Sequence, residues 1–86
     1  MVRVWGRVIK KDKIVKSDTI DVDAHECTFF NMLRSLCEKL DIPTPVLLEK
    51  HVNDFNRFNM SVFKPADFIQ PVNFSSFVIS NVTMDE

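Results

Sequence analysis

Apolar and polar residues alternate through positions 2–9 and again through 14–22, the period of two expected of strands with one buried face. Between them lies Lys10-Lys11-Asp12-Lys13, a polar stretch suited to a turn, so the segment reads as a β-hairpin. Setting Val4 opposite Ile20 and Val2 opposite Val22 gathers Val2, Val4, Val8, Ile14, Ile20 and Val22 on one face, which should meet the core. The other face then carries Arg3, Trp5, Arg7, Ile9, Val15, Ser17 and Thr19. That mixture is too apolar to be simply wet and too charged to be simply buried.

Asp23-Ala24-His25-Glu26 has the form of a capping box, an N-cap acceptor with Glu three residues later, and precedes Phe29, Leu33, Leu36 and Leu40 at helical spacing. A first helix is predicted over residues 24–41. Ile42-Pro43-Thr44-Pro45 ends it, because the residue before a proline is pushed out of the α region. Thr44 then suits an N-cap and Pro45 a first helical position, which predicts a second helix over 45–57, with a strand over Val46-Leu47-Leu48 as the alternative for its first residues. Asn59 to Phe63 reads as a short strand, Lys64 to Asp67 as a turn, and Phe74 to Val82 as a β-branched and aromatic strand. In that last strand Phe77 and Ile79 fall on one face and Val78 and Val82 on the other. The lone glycine, Gly6, sits inside the first strand and marks a bulge or a close approach. The order hairpin, helix, helix, two strands predicts an α+β fold. Hairpin and carboxy-terminal strands should share one antiparallel sheet, with both helices on one face. The pattern does not determine the strand order.

A length of 86 residues leaves room for one core, so residues 1–86 are expected to form a single small globular domain. With 45% hydrophobic and 27% charged residues the chain lies outside the disordered range, and its eight Phe contribute much buried area per residue. Domains of this size are modestly stable, and dimerisation is a common remedy. The opening residues lack a signal-peptide core and no segment approaches a membrane span, so a cytoplasmic location without membrane contact is expected. Cys27 and Cys37, on one predicted helix, would lie about 15 Å apart along its axis. They cannot pair with each other there, and read as reduced thiols packed as small hydrophobes.

The run from Asp21 to Cys27 brings carboxylate, imidazole and thiol within seven residues. Structural zinc nevertheless requires four ligands and catalytic zinc three, and no second cluster accompanies His25 and Cys27, so no metal or other cofactor is expected. Helix capping accounts for Asp23 and Glu26. A Cys–His hydrolase fails on geometry, because residues two apart on a helix face different ways. The carboxylate pairs Asp21/Asp23 and Glu49/Asp54 lack the apolar surroundings that acid–base catalysis needs. No phosphate-binding loop is present. Neither an enzyme nor a small-molecule substrate is indicated.

Charge is strongly polarised. Residues 1–16 hold six basic residues, Arg3, Arg7, Lys10, Lys11, Lys13 and Lys16, against Asp12 alone, while the remainder holds five basic and eleven acidic. Together with Trp5, these side chains are candidates for gripping and stacking single-stranded nucleic acid. The same lysines also suit guarding an exposed strand edge. The leading reading is a different one. Arg3, Trp5, Arg7, Ile9 and Val15 form a mixed apolar and cationic surface of the kind found at protein interfaces, with a protein partner or a second copy of the chain as its ligand.

The opening Trp5-Gly6-Arg7-Val8-Ile9-Lys10-Lys11-Asp12 carries a resemblance, together with Pro45-Val46-Leu47-Leu48-Glu49-Lys50, Asn53-Asp54-Phe55 and Asp67-Phe68-Ile69 ahead of Phe74. Taken together these segments resemble a group of short uncharacterised proteins of Gram-positive bacteria. The resemblance spans most of the chain. It implies a bacterial, cytoplasmic origin and brings no activity or mechanism with it.

Overall fold

Val2–Lys10 (β1) and Lys13–Val22 (β2) form the antiparallel hairpin that the alternation predicts, with Val2 opposite Val22 and Val4 opposite Ile20. The computed structural model describes residues 2–23 and 28–82. The hairpin closes through a two-residue loop in which Lys11 (φ 52°) and Asp12 (φ 63°) are both left-handed. Strand twist favours this mirror-image turn, which prefers Asn-Gly, because other residues pay a steric penalty at positive φ. Exchanging both residues, Lys11→Asn with Asp12→Gly, is therefore expected to stabilise the fold by about 1 kcal/mol. Thermal unfolding should show this as a midpoint about 4–8 °C higher. An unchanged midpoint would mean that the Lys11 and Asp12 side chains make compensating contacts.

Near the turn the register shifts, so that Val8 faces Lys16 while Ile9 faces Ile14. Val15 is the extra residue of a β-bulge. The bulge corrects one expectation: Ile14, assigned to the core face by simple alternation, stands beside Ile9 on the outer face and is 51% exposed. Lys16 moves to the helix side, where its Nζ donates to the Leu40 carbonyl at 3.0 Å, a favourable place for a cation at a helix carboxy-terminus.

The first helix, Phe29–Leu40 (α1), begins later than expected. Thr28 caps it, its Oγ1 accepting from the Asn31 N–H at 3.2 Å, and Asp23 lies before it in non-helical chain. Ala24, His25, Glu26 and Cys27, which complete the expected capping box and first turn, lie outside the described residues. Starting at Phe29 still turns Met32, Leu33, Leu36, Cys37 and Leu40 inward. The helix ends where expected, with Asp41 left-handed (φ 56°) and the Ile42 N–H returning to the Cys37 carbonyl at 3.0 Å.

Residues 42–48 are extended, and the second helix is Glu49–Phe58 (α2) rather than 45–57. Tertiary bonding overrides the Thr44-Pro45 start signal: Pro45 is buried and the Val46 N–H is taken by the Asp67 carbonyl at 2.8 Å. Leu48 at the N-cap has no side-chain acceptor, and His51 Nδ1 accepts its backbone N–H at 3.1 Å. Met60–Phe63 (β3), a 3-10 turn at Pro65–Asp67, and Ser76–Asn81 (β4) follow as expected, β4 being somewhat shorter than its sequence pattern.

The four strands form one antiparallel sheet in the order β2-β1-β4-β3. Val4 and Val8 of β1, Phe77 and Ile79 of β4, and Phe63 of β3 pack against Met32, Leu33, Leu36, Cys37 and Leu40 of α1, with Phe68 and Phe74 closing the cluster. At Gly6 the alternative of close approach holds. A Cβ there would stand 3.1 Å from Leu36 Cδ2 and 3.2 Å from both Leu40 Cδ1 and Phe77 Cε1, so glycine lets α1 settle onto the sheet. Among the described residues no helix is long and apolar enough to cross a membrane.

Candidate functional site: the open sheet face

Residues whose neighbours along a strand point into the core must themselves point away from it. On β1 these are Arg3, Trp5, Arg7 and Ile9, and the registers extend them into rungs across the sheet. One rung runs Thr19, Trp5, Ser80, Met60; the next runs Ser17, Arg7, Val78, Val62; a third joins Ile14, Ile9 and Ser76. Among the described residues, the helices and the Phe68–Phe74 segment contribute to the opposite, core side.

Arg7 organises the centre of this face. Its guanidinium carbon lies 4.2 Å from the Trp5 ring centroid and its Nη2 donates to Ser80 Oγ at 2.6 Å, while Nε is buried without a hydrogen-bond partner. The cation thus lies flat along the sheet, stacked on one neighbour and pinned by another. Its register partner Val78 on β4 is only 7% exposed, so the middle of this face is closely packed. Met60 and Ile14 extend the apolar surface towards both edges of the sheet and are 43% and 51% exposed.

Arg3 continues the face at the open end of the hairpin, where its Nε meets Asp21 Oδ1 at 2.9 Å. The hydrogen bond and charge of each partner hold the Arg3 guanidinium above its ordinary range and the Asp21 carboxyl below its own. Asp21 therefore offsets one of the hairpin's six cations. Val15 is placed elsewhere. With Val8, Lys10, Lys16, Ile42 and Phe74 it lines a groove of about 660 Å³ between the hairpin tip and residues 41–43 and 71–74.

The basic residues likewise do not form one surface. Trp5, Arg7 and Arg3 share the open face, whereas Lys10 and Lys16 line the groove on the helix side and Lys11 and Lys13 are exposed at the tip. The structure joins Trp5 and Arg7 to Met60, Val62, Val78 and Ser80, which the sequence analysis did not associate with them. Val78 was legible as the outward residue between Phe77 and Ile79, but nothing in the pattern showed that β4 lies beside β1.

Of the other buried polar groups, Ser61 on β3 has a hydroxyl without a hydrogen-bond partner, and His51 is held through one ring nitrogen. His51 is 1% exposed, and its ring lies 4.2 Å from that of Phe63. Its Nδ1 accepts from Leu48 and its Nε2 stands 3.4 Å from Asp67 Oδ2, linking the start of α2 to the 3-10 turn. The Cys37 thiol is free and fully buried, and burial pushes it up to about 12, well above the ordinary thiol range. Among the described residues no three His, Cys, Asp or Glu side chains gather as a metal-holding group. Comparison with family models, curated proteins and solved structures finds no match to this chain.

Proposed function

We propose that this chain is a non-catalytic protein-binding module of the bacterial cytoplasm. It engages its partner, another protein or a second copy of itself, through the outer face of the sheet. The observation that carries this reading is the sheet face on which Trp5 and Arg7 neighbour Val78 and Val62, with the exposed Met60 and Ile14 at its margins. Large aromatic and guanidinium groups beside apolar ones are the composition of interface hot spots. Stacking of Arg7 on Trp5 before any partner arrives reduces the ordering cost of association.

A photo-crosslinking residue placed at Met60 or Val62, on the side of the sheet away from β2, tests this in cells. A discrete protein adduct is expected from either site and not from Lys50 on α2. Trp5→Ala should weaken the contact at least thirtyfold, corresponding to about 2 kcal/mol. Equal adducts from Lys50, or adducts indifferent to Trp5→Ala, would exclude the open face as the binding surface.

Single-stranded nucleic-acid binding is the second reading, favoured by the Trp5–Arg7 stack on an open antiparallel sheet. Division of the hairpin lysines between the groove and the tip counts against it. Titration of Trp5 fluorescence with a DNA or RNA oligonucleotide at low salt separates the two readings. Quenching that fades with added salt belongs to the nucleic-acid reading.

A further inference from the structure

The long edge of the sheet points to a second copy of this chain. Arg3 and Ile9 give their carbonyls to Val82 and Ser75 on the β4 side. By alternation Val4, Gly6 and Val8 turn their backbone groups to β2, and their partners Ile20, Asp18 and Lys16 turn back to meet them. Ser17, Thr19 and Asp21 are left facing outward along a ten-residue edge strand. Long edges of this kind are the usual template for pairing with another chain.

The order of charge along the edge selects the partner. Lys13 and Lys16 precede Ser17, and Asp18 and Asp21 follow it, so the strand reversed upon itself meets opposite charge. We propose that two copies pair antiparallel along β2 about a twofold axis at Ser17, joining their sheets into one of eight strands. Lys16, opposite Val8, and Asp18, opposite Gly6, occupy the same face of the sheet. Each Lys16 therefore meets the partner's Asp18, twice per dimer, as an isologous interface requires. Ile14 and Val15, 51% and 53% exposed, lie within the same strand and are drawn towards the second chain.

One contact occupies part of the edge in the single chain. Asp18 Oδ1 accepts the Thr19 N–H at 2.8 Å, and Lys39 Nζ donates to the Thr19 carbonyl at 2.9 Å and reaches Asp18 at 3.4 Å. This clasp is solvent-exposed and contributes little, as exposed ion pairs do. On pairing, the second strand takes over the backbone groups of Thr19, and Asp18 exchanges Lys39 for the partner's Lys16. The three donors of Lys16 allow it to keep the Leu40 carbonyl as well.

The edge is separate from the Trp5 surface, so the two proposals fail independently. Sedimentation velocity of the full chain at about 50 µM should show a dimer. Ser17→Pro should weaken the dimer at least tenfold while leaving far-ultraviolet circular dichroism unchanged, because the Ser17 N–H faces the edge and not β1. Ser17→Cys should form a covalent dimer under mild oxidation, since directly opposed residues of a hydrogen-bonded pair lie about 5.5 Å apart, within disulfide range. Asp18→Lys should weaken association, and adding Lys16→Asp should restore it. A monomeric wild type overturns the proposal. So does a dimer that Ser17→Pro leaves intact, or one that only Trp5→Ala dissolves.

Discussion

Replacing Phe77 with alanine is expected to remove about 3–5 kcal/mol of folding stability. Phe77 is completely buried on β4, its ring 5.9 Å from that of Phe63, and its edge meets the space left by Gly6. Truncation there opens a cavity where the sheet, α1 and β3 converge, and the neighbours cannot collapse into it without moving α1. A chain of this size commonly has about 4–13 kcal/mol in total, so the variant should be partly unfolded at physiological temperature. Urea unfolding measures this as a large fall in the midpoint with little change in slope. Phe58→Ala is the control, because Phe58 is 62% exposed and its loss should change stability by at most about 0.5 kcal/mol. A Phe77 effect no larger than the Phe58 effect would contradict the packing of β4 against α1.

The second large effect is alkaline destabilisation through Cys37. Burial holds its thiol neutral up to about 12 in the folded protein, partly countered by a hydrogen bond with Thr44, whereas an unfolded thiol ionises near 9. Between those values the folded state keeps a proton that the unfolded state has lost, so raising the pH favours unfolding. The contribution is fully present below about pH 9 and lost progressively as pH rises towards 12, at up to about 1.4 kcal/mol per pH unit. Alkaline effects from the rest of the chain are common to the wild type and Cys37→Ala. Their difference in unfolding free energy, followed from pH 8 to 11, should therefore shrink as pH rises. A constant difference would mean that the thiolate is accommodated in the fold.

Much of this architecture was legible in the sequence because the relevant forces are local. Alternation in residues 2–9 and 14–22 marks the hairpin, Phe77 and Ile79 mark the inward side of β4, and the helical spacing from Phe29 to Leu40 marks α1. What sequence missed depended on competition between equivalent local signals or on distant partners. Asp23 and Thr28 have the same capping chemistry, and the choice of Thr28 is not written in either residue. At the expected start of α2, the Asp67 carbonyl, twenty-one residues downstream of Val46, captures an N–H that a Thr44 cap would otherwise have taken. Ile14 changed faces because a bulge leaves the composition of a strand untouched while reversing its pattern beyond that point. For the candidate site, Trp5 and Arg7 could be identified from their alternation, but half of the surface around them comes from β3 and β4. Strand order depends on packing across the whole molecule, so those neighbours emerged only with the fold.

The placement of β1 and β4 at the middle of the sheet also governs how the chain acquires its structure. Val4 pairs with Asn81 and Ile9 with Ser76, so the central seam joins segments from opposite ends of the sequence. The hairpin and α1 can form from nearby contacts, but β3 has β4 as its sheet neighbour and the core has no Phe77 until residue 77 has emerged from the ribosome. Closing so long a loop before its contacts repay it slows folding relative to a helical bundle of equal length. A nascent chain halted before β4 carries one side of its hairpin exposed, with Val4 and Val8 still lacking the strand that will cover their flank.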